Sequence, residues 1–183
     1  MDRARATRIS KLLAFALRHD PGALGLDLDG AGWTDVAKLL GAIAARGEPL
    51  SHAELTEIVR ASDKQRFAIS EDGTRIRANQ GHSVAVDLGL APREPPVLLY
   101  HGTVARFLAS IRQNGLLRGS RTHVHLSVDT QTAEIVAHRR SGPAVILTVH
   151  AGEMHAAGRR FWRSENGVWL TDHVPPAYLR VPG

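Results

Sequence analysis

The sequence predicts an α+β fold in two lobes, and three observations support this. The first part of the chain shows apolar residues at helical spacing and then two alternating segments around an Asp-Gly turn. The second part contains a continuous apolar segment, which is typical of a strand inside a sheet. Between them lies the stretch APREPP, and proline interrupts both helices and central strands. We therefore predict domains at 1–90 and 97–183, joined by a linker at 91–96.

The composition is that of a globular protein. Of 183 residues, 43% are hydrophobic and 22% charged, which is ordinary for a packed domain. The net charge of +5 favours polyanionic partners such as nucleic acid. The absence of cysteine excludes disulfides, thiolate metal sites and cysteine nucleophiles. No signal peptide pattern and no apolar stretch of about 20 residues is present, so we expect a cytoplasmic monomer with no membrane partner.

Two helices are predicted at the start of the first lobe. Ile9, Leu13 and Leu17 lie on one face of the first helix, and Pro21–Gly22 end it. The following stretch, GLDLDGAG, fits either a strand or a loop with a glycine turn. A second helix is expected to begin near Thr34.

The rest of the first lobe carries two stronger local signals. Ser51 and Glu54 have the spacing of a capping box, which predicts a third helix. The segments RFAIS and TRIRA flank the turn Glu71-Asp72-Gly73 and predict a β-hairpin. Three helices followed by a hairpin are typical of a winged-helix-like module. Such modules often bind nucleic acid, although a fold alone does not establish function.

The second lobe is predicted to alternate short strands with helices. Gly115 fits a helix C-terminal cap, and Asn166-Gly167 favours a hairpin turn. The predicted elements are a strand at VLLYH, a helix from Val104 to Asn114, a strand at HVHLS, a helix from Asp129 to about Arg139, a strand at AVILTVHA, and two strands around Asn166.

Nine stretches of the chain, in the same order, resemble the KptA-type RNA 2'-phosphotransferases. They are SKLLAFALRHDP, GLDLDGAGW, DKQRFAI, IRANQGHS, LYHGT, HVHLS, RRSGPAVIL, SENGVWLT and VPPAYL. They extend from about Ser10 to Leu179. The resemblance implies a winged-helix-like lobe for RNA and phosphate, followed by an ADP-ribosyltransferase-type lobe with a mixed sheet that binds NAD.

The resemblance also implies a reaction in two steps, with NAD consumed as a co-substrate. An internal 2'-phosphate of RNA attacks the ribose carbon that carries nicotinamide, and nicotinamide leaves. The neighbouring ribose hydroxyl then attacks the phosphorus, which releases RNA with a free 2'-OH and ADP-ribose 1'',2''-cyclic phosphate. No metal is expected. Zinc on the two histidines of HVHLS is the weaker alternative, because no cysteine or nearby glutamate completes a tetrahedral set.

The family's catalytic set maps onto Arg18, His19, Arg66 and Arg139. Arginine presents a planar fork that suits two phosphate oxygens, and preorganised positive charge stabilises a transferring phosphoryl group. Taken singly, each arginine is better explained as a solvated surface charge, and His19 has the alternative role of a helix C-terminal cap. The family pattern Arg-His-Gly appears here as Arg139-Arg140-Ser141, so the choice between the two arginines stays open.

The resemblance places the NAD contacts mainly in the second lobe. His101 is implied to hold the adenosine-side ribose, and Gly102 lets a ligand approach the backbone. His123 and His125 alternate on a strand and therefore face one side. Phe161 is a candidate to stack on nicotinamide or adenine, and Asn166 is either a ligand contact or simply a turn residue. The complete set of implied NAD contacts is His101, Gly102, Thr103, Ser110, Gly115, Leu116, Arg121, His123, His125, Ser127, Phe161, Ser164 and Asn166.

Two alternative functions stay open. ADP-ribosyltransferases that modify proteins keep a catalytic glutamate where this chain has Val168-Trp169-Leu170, which fits a nucleophile that is already anionic. The same chemistry would suit an ADP-ribosyltransferase acting on terminal phosphates of nucleic acid. The basic first lobe is also compatible with a non-catalytic RNA-binding module, although such a module has no need of an NAD lobe.

Overall fold

The computed structural model describes residues 2–62 and 65–182 of the chain. They form two compact units that meet in sequence between Gly89 and Leu90. Both units combine helices with short strands, so the α+β class is confirmed. Every pair of named strands in the described residues is antiparallel, and the second unit therefore contains small antiparallel sheets where we expected a mixed sheet. None of the described helices is long and apolar enough to cross a bilayer.

The first unit packs three helices against a three-stranded sheet. Its elements are α1 (Arg3–Arg18), β1 (Thr34–Asp35), α2 (Val36–Ala44), α3 (His52–Arg60), β2 (Phe67–Ile69) and β3 (Arg75–Ala78). The predicted hairpin is confirmed, because β2 pairs with β3 with Phe67 opposite Ala78. Leu13, Leu17 and Leu39 are fully buried in its core. The stretch GLDLDGAG forms no strand, which settles that alternative in favour of a loop.

Ion pairs and caps fix one side of α1 to the start of α3. The Ser51 hydroxyl accepts from the Glu54 N–H at 3.2 Å, and Glu54 accepts from the Ser51 N–H at 2.8 Å, so the capping box is confirmed. Glu54 also pairs with Arg5 at 2.8 Å. The Ser51 N–H and then Arg5 lower the pKa of Glu54 to about 2. Arg8 pairs with Glu48 at 2.8 Å, so two cations of α1 are matched by carboxylates.

The second unit contains three small sheets. Its elements are β4 (Leu99–Val104), α4 (Leu108–Asn114), β5 (Leu116–Leu117), β6 (Val124–Leu126), α5 (Thr130–Ala137), β7 (Ala144–Val149), α6 (Ala151–Ala156), β8 (Phe161–Arg163), β9 (Trp169–Thr171), β10 (His173–Val174) and β11 (Leu179–Arg180). The strand orders are β11-β7-β4, β6-β9-β8 and β10-β5. Two backbone hydrogen bonds between Tyr100 and Ser127 connect β4 to the end of β6. The predicted strands and helices are present, whereas α6, β5, β10 and β11 were not predicted.

Helix α5 lies directly on β4 at Gly102. A Cβ atom at this position would lie 1.8 Å from the carbonyl oxygen of Ala133 and 2.9 Å from the backbone nitrogen of Ala137. Ala133 and Ala137 are themselves fully buried. The rest of this core includes the fully buried side chains of Phe161 and Met154. Glycine at 102 and alanines on the helix together let two backbones approach closely.

Part of the predicted linker lies against β8. The N–H of Arg93 donates to the carbonyl of Phe161 at 2.8 Å, and Pro92 pairs with Trp162 as an isolated bridge. These contacts attach residues 92 and 93 to the second unit. The domain limits and the role of 91–96 as a linker stay predictions.

Candidate functional site

The end of α1 brings together the three site residues predicted in the first unit. Arg18 donates from Nη2 to the carbonyl oxygen of Arg66 at 3.4 Å. The ring of His19 is exposed, and its Nδ1 lies 2.9 Å from the hydroxyl of Ser83. The backbone N–H of His19 donates to the carbonyl oxygen of Phe15, so His19 is also the C-terminal cap of α1, which was its alternative role. The Arg18 guanidinium thus lies against the backbone of Arg66, and the His19 ring is exposed at the same end of α1. Cationic side chains in such a position suit an anion such as phosphate.

Arg66 is held by an unusual backbone conformation. Gln65, immediately before it, has a φ of 38°, and no other non-glycine residue of the described chain has a positive φ. This left-handed conformation costs about 1–2 kcal/mol for an ordinary residue. Asn79 offsets part of that cost, because its side chain donates to the Gln65 carbonyl at 2.6 Å and its N–H donates to the Arg66 carbonyl at 3.0 Å. Strained backbone of this kind is concentrated at functional sites.

His82 is a candidate site residue to which the sequence assigned no role. It is fully buried, and within the described residues neither of its ring nitrogens has a hydrogen-bond partner. Burial, followed by the charges of Arg18, Arg77 and His19, lowers the pKa of His82 to about 4. The imidazole is therefore neutral near pH 7. The stretch IRANQGHS was noticed only as part of the resemblance, since a single histidine shows nothing of its burial.

The pKa of His82 predicts an acid-dependent loss of stability. The unfolded chain takes up a proton near the ordinary pKa of 6.5, whereas the folded chain resists protonation until about pH 4. The stability contributed by neutral His82 is thus present above pH 6.5 and lost as the pH falls towards 4, at up to about 1.4 kcal/mol per pH unit. His82→Leu should lose less stability than wild type between pH 7 and pH 5, measured by urea unfolding. Equal losses in both proteins would contradict this.

The second unit contains a chain of contacts from His101 to Arg121. His101 Nδ1 lies 3.0 Å from the carbonyl oxygen of His125, and since a carbonyl only accepts, Nδ1 carries the proton. Arg121 donates from Nη1 to His125 Nδ1 at 3.4 Å, so His125 is protonated on Nε2. That nitrogen is buried and has no partner within the described residues. His101 therefore offers Nε2 as an acceptor, and His125 offers Nε2–H as a donor.

Both histidines are neutral near pH 7. Burial, then the charge of Arg121, lowers the pKa of His125 to about 3. Burial also lowers the pKa of His101. Loss of hydration, followed by the like charges of Arg140 and Arg139, lowers the pKa of Arg121. Three arginines close enough to affect one another make this part of the second unit suitable for a pyrophosphate or phosphate group.

Arg139 and Arg140 differ in their surroundings. Both follow the end of α5 and are exposed. The guanidinium of Arg140 lies over the ring of Phe107 at 5.3 Å, and Arg106 contacts the same ring at 5.0 Å. Arg106 also donates to the Ser141 carbonyl at 3.2 Å. Cation–π contact restrains Arg140 at the Phe107 ring.

The aromatic residue near the histidines is Trp162. Phe161, expected to stack on the ligand, has no exposed ring face because it is fully buried in the second core. Trp162 is half-buried, and its ring centre lies 5.0 Å from that of His123. Val124 is fully buried while His123 and His125 are only partly buried, which agrees with the predicted alternation along this strand. A stacking role in the second unit would therefore fall to Trp162.

The remaining NAD contacts implied by the resemblance have mixed surroundings. Ser110 is exposed on α4, and Leu116 is buried in β5. Gly115 caps α4 as predicted, with a φ of 74°, and a Cβ there would lie 2.0 Å from the Val174 carbonyl. Thr103 is buried in β4. Leu116, Gly115 and Thr103 therefore have packing or capping roles, and contact with NAD stays a prediction for all four residues.

The turn between β8 and β9 is built by Ser164. Its hydroxyl donates to the Asn166 side-chain oxygen at 2.7 Å and accepts from the Val168 N–H at 3.1 Å. Gly167 takes a φ of 81° in this turn. The hairpin predicted from Asn-Gly is confirmed, and contact of Ser164 or Asn166 with a ligand stays a prediction.

Comparisons with known proteins extend through both units. Residues 4–173 match the family model described as RNA 2'-phosphotransferase, Tpt1 / KptA family. A protein named "Probable RNA 2'-phosphotransferase" from Agrobacterium fabrum is 54% identical over 176 residues, which cover 96% of this chain and 94% of the relative. One of the same name from Streptomyces griseus is 52% identical over 190 residues and covers 100% of both chains. A third, from Herpetosiphon aurantiacus, is 51% identical over 181 residues and covers 99% of both.

Proposed function

Because this chain belongs to the Tpt1/KptA family of RNA 2'-phosphotransferases and is thus a transferase, we propose that it removes an internal 2'-phosphate from RNA with NAD as the acceptor. The observation that carries this proposal is the position of Arg18 and His19 at the end of α1, where Arg18 contacts the backbone of Arg66. We propose that the first unit is winged-helix-like and binds RNA, and that the second is an ADP-ribosyltransferase-type unit that binds NAD.

The first unit supplies the groups that hold the RNA phosphate. A phosphate monoester carries close to two negative charges near neutral pH, and each arginine fork can donate to two of its oxygens. In the proposal, Arg18 and Arg66 bind the phosphate. His19 donates a hydrogen bond or a proton to a phosphate oxygen, since imidazole titrates near neutrality. His82 is fully buried and neutral, so it adds no positive charge near Arg18.

The second unit offers groups that fit NAD. The orphaned Nε2–H of His125 and the acceptor Nε2 of His101 suit hydroxyl groups of a ribose. Arg121 and Arg140 supply positive charge for the pyrophosphate. Trp162 beside His123 offers an aromatic face for a nicotinamide or adenine ring. We assign NAD binding to these residues, together with the backbone of Gly102.

NAD supplies an electrophilic ribose carbon and the leaving group nicotinamide. The residues of this chain then have to orient the phosphate and stabilise its negative charge. They also have to keep carboxylate side chains, which would repel the phosphate, away from it. Trp169 and Leu170 are buried on β9, where protein-modifying relatives of this fold place a glutamate. A phosphate dianion needs no general base, and a carboxylate at that place would repel it. Arginine charge stabilises the second step, in which the ribose hydroxyl bonds to phosphorus and the RNA 2'-oxygen leaves.

Incubation with NAD and two RNAs tests the proposal. One RNA carries an internal 2'-phosphate and the other a terminal phosphate. We expect the first to be dephosphorylated, with nicotinamide released in equal amount. A stable ADP-ribosylated product from the terminal phosphate alone would instead favour the ADP-ribosyltransferase alternative. No consumption of NAD with either RNA would contradict both and leave an RNA-binding module.

A pair of substitutions distinguishes the two neighbouring arginines. Since Arg140 is held over Phe107, we expect Arg139 to bear the catalytic role. Arg139→Ala should lower kcat on the order of 100-fold, whereas Arg140→Ala should lower it less than about tenfold. Steady-state release of nicotinamide measures both. The reverse order of effects would transfer the role to Arg140.

A further inference from the structure

A groove runs along the first unit from the proposed phosphate site. It has a volume of about 430 Å³ and lies between one face of α1 and the end of α3. Arg18 and Arg66 line it, and so do Lys11 and Arg3. Arg3 and Arg18 are 15 positions apart on the same helix, a distance of about 22 Å at 1.5 Å per residue. The groove is therefore much longer than a single phosphate requires.

The cations of α1 divide between its two sides. Arg5 and Arg8 pair with Glu54 and Glu48 on one side. On the groove side, Arg3 and Lys11 are exposed, and within residues 2–62 and 65–182 neither has a carboxylate within ion-pair distance. The part of the lining that the structure describes includes no acidic side chain. Among the described residues, Lys11 and Arg3 thus add positive charge along the groove side of α1.

The floor of the groove between the cations is mostly apolar. It is lined by Ala6, Ala14, Ile58 and Ala61, together with the hydroxyl side chains of Thr7 and Ser10. Ser62 adds a hydroxyl that is buried and has no hydrogen-bond partner within the described residues. Cations beside an apolar floor suit a nucleic-acid strand whose bases are exposed, because phosphates then meet the cations while bases or riboses lie on the floor. A duplex keeps its bases inside and has no use for such a floor.

We propose that this groove binds the single-stranded RNA that flanks the phosphorylated nucleotide on one side. The inference rests on the proposed function, because it takes Arg18 and Arg66 as the residues that hold the 2'-phosphate. Lys11 and then Arg3 would contact phosphates of the flanking strand, and Ser62 would donate a hydrogen bond to it. The enzyme would then prefer a 2'-phosphate within a longer single strand over one in a minimal fragment.

Equilibrium binding without NAD tests this. The probes are a 2'-phosphorylated dinucleotide and two single strands that extend the same 2'-phosphorylated site by about six nucleotides, one on the 5' side and one on the 3' side. The readout is the length advantage, the Kd of the dinucleotide divided by that of each longer strand. We expect an advantage of about tenfold or more for one flank in the wild type. The double substitution Arg3→Gln with Lys11→Gln should reduce this length advantage to about twofold or less. It should also make the plot of log K against log salt concentration less steep by about 1.4 for the longer strand.

The matched control is Arg8→Gln with Lys38→Gln, which removes the same charge from exposed helix positions outside the groove. This control should keep the advantage. Equal loss in the control would show a general charge effect and overturn the proposal. The absence of a length advantage in the wild type would also overturn it. So would an equal advantage when the longer strand is annealed to its complement. If the wild type shows the advantage but never releases nicotinamide from NAD, the proposed function fails while the groove assignment stands.

Discussion

Arg18→Ala should lower kcat/KM for removal of the 2'-phosphate on the order of 100- to 1000-fold. The side chain leaves the last turn of α1 beside Arg66 and His19. Removal of one preorganised donor to a developing oxyanion typically costs this much. Arg18→Lys keeps the charge but loses the planar fork, so we expect a loss on the order of 100-fold. Nicotinamide release and RNA dephosphorylation, followed together, measure both effects.

A control on the same helix separates chemistry from folding. Arg8→Ala removes an exposed guanidinium that pairs with Glu48. Surface pairs contribute about 0–1 kcal/mol, so its activity should stay within about twofold of wild type. Circular dichroism should show the same helix content in all three variants. Wild-type kcat/KM in Arg18→Ala would remove Arg18 from the proposed mechanism.

Gly102→Ala should destabilise the second unit by about 3 kcal/mol or more. The added methyl would lie 1.8 Å from the Ala133 carbonyl, which is backbone and cannot rotate away. Helix α5 would have to move off β4, and overpacking of this kind costs about 1–3 kcal/mol and occasionally more. Thermal unfolding followed by circular dichroism should show a fall in Tm of roughly 10 °C or more.

Gly41→Ala is the matched substitution in the first unit. Gly41 lies within α2, and an added Cβ would meet no atom within 4 Å. Alanine is the better helix former by about 1 kcal/mol. This variant should therefore keep or raise Tm. A Gly102→Ala protein with wild-type Tm would contradict the close packing of α5 on β4.

The parts of the fold that were predicted correctly depend on local signals. The side chains of Ser51 and Glu54 accept hydrogen bonds from each other's backbone N–H groups at the start of α3. The turns at Asp72-Gly73 and Asn166-Gly167 favour hairpins whatever surrounds them. The two-residue strands β5 and β10 were missed because each exists only through its pairing with the other, far away in sequence. No propensity within two residues indicates such a pair.

The candidate site shows the same difference between local signals and contacts that are distant in sequence. The meeting of Arg18 and Arg66 is in the structure, but only the family resemblance pointed to it, since a single arginine in a sequence is most often a surface charge. Adjacent strand residues face opposite sides, and the sequence could not tell whether Phe161 or Trp162 belongs to the core. At position 102, either a ligand or a helix that packs closely on the backbone would require glycine, because any Cβ atom would be in the way. The glycine in the sequence therefore could not show which of the two lies against it.

The burial of Met154 has a practical consequence. The chain has no cysteine and two methionines, and Met154 is fully enclosed in the second core. The folded protein from residue 2 to 62 and from 65 to 182 therefore presents no sulfur atom to solvent. Peroxides attack accessible thiolates and thioethers first, so mild oxidants find little to modify here. Within those residues, no exposed thiol or thioether requires a reducing agent for protection.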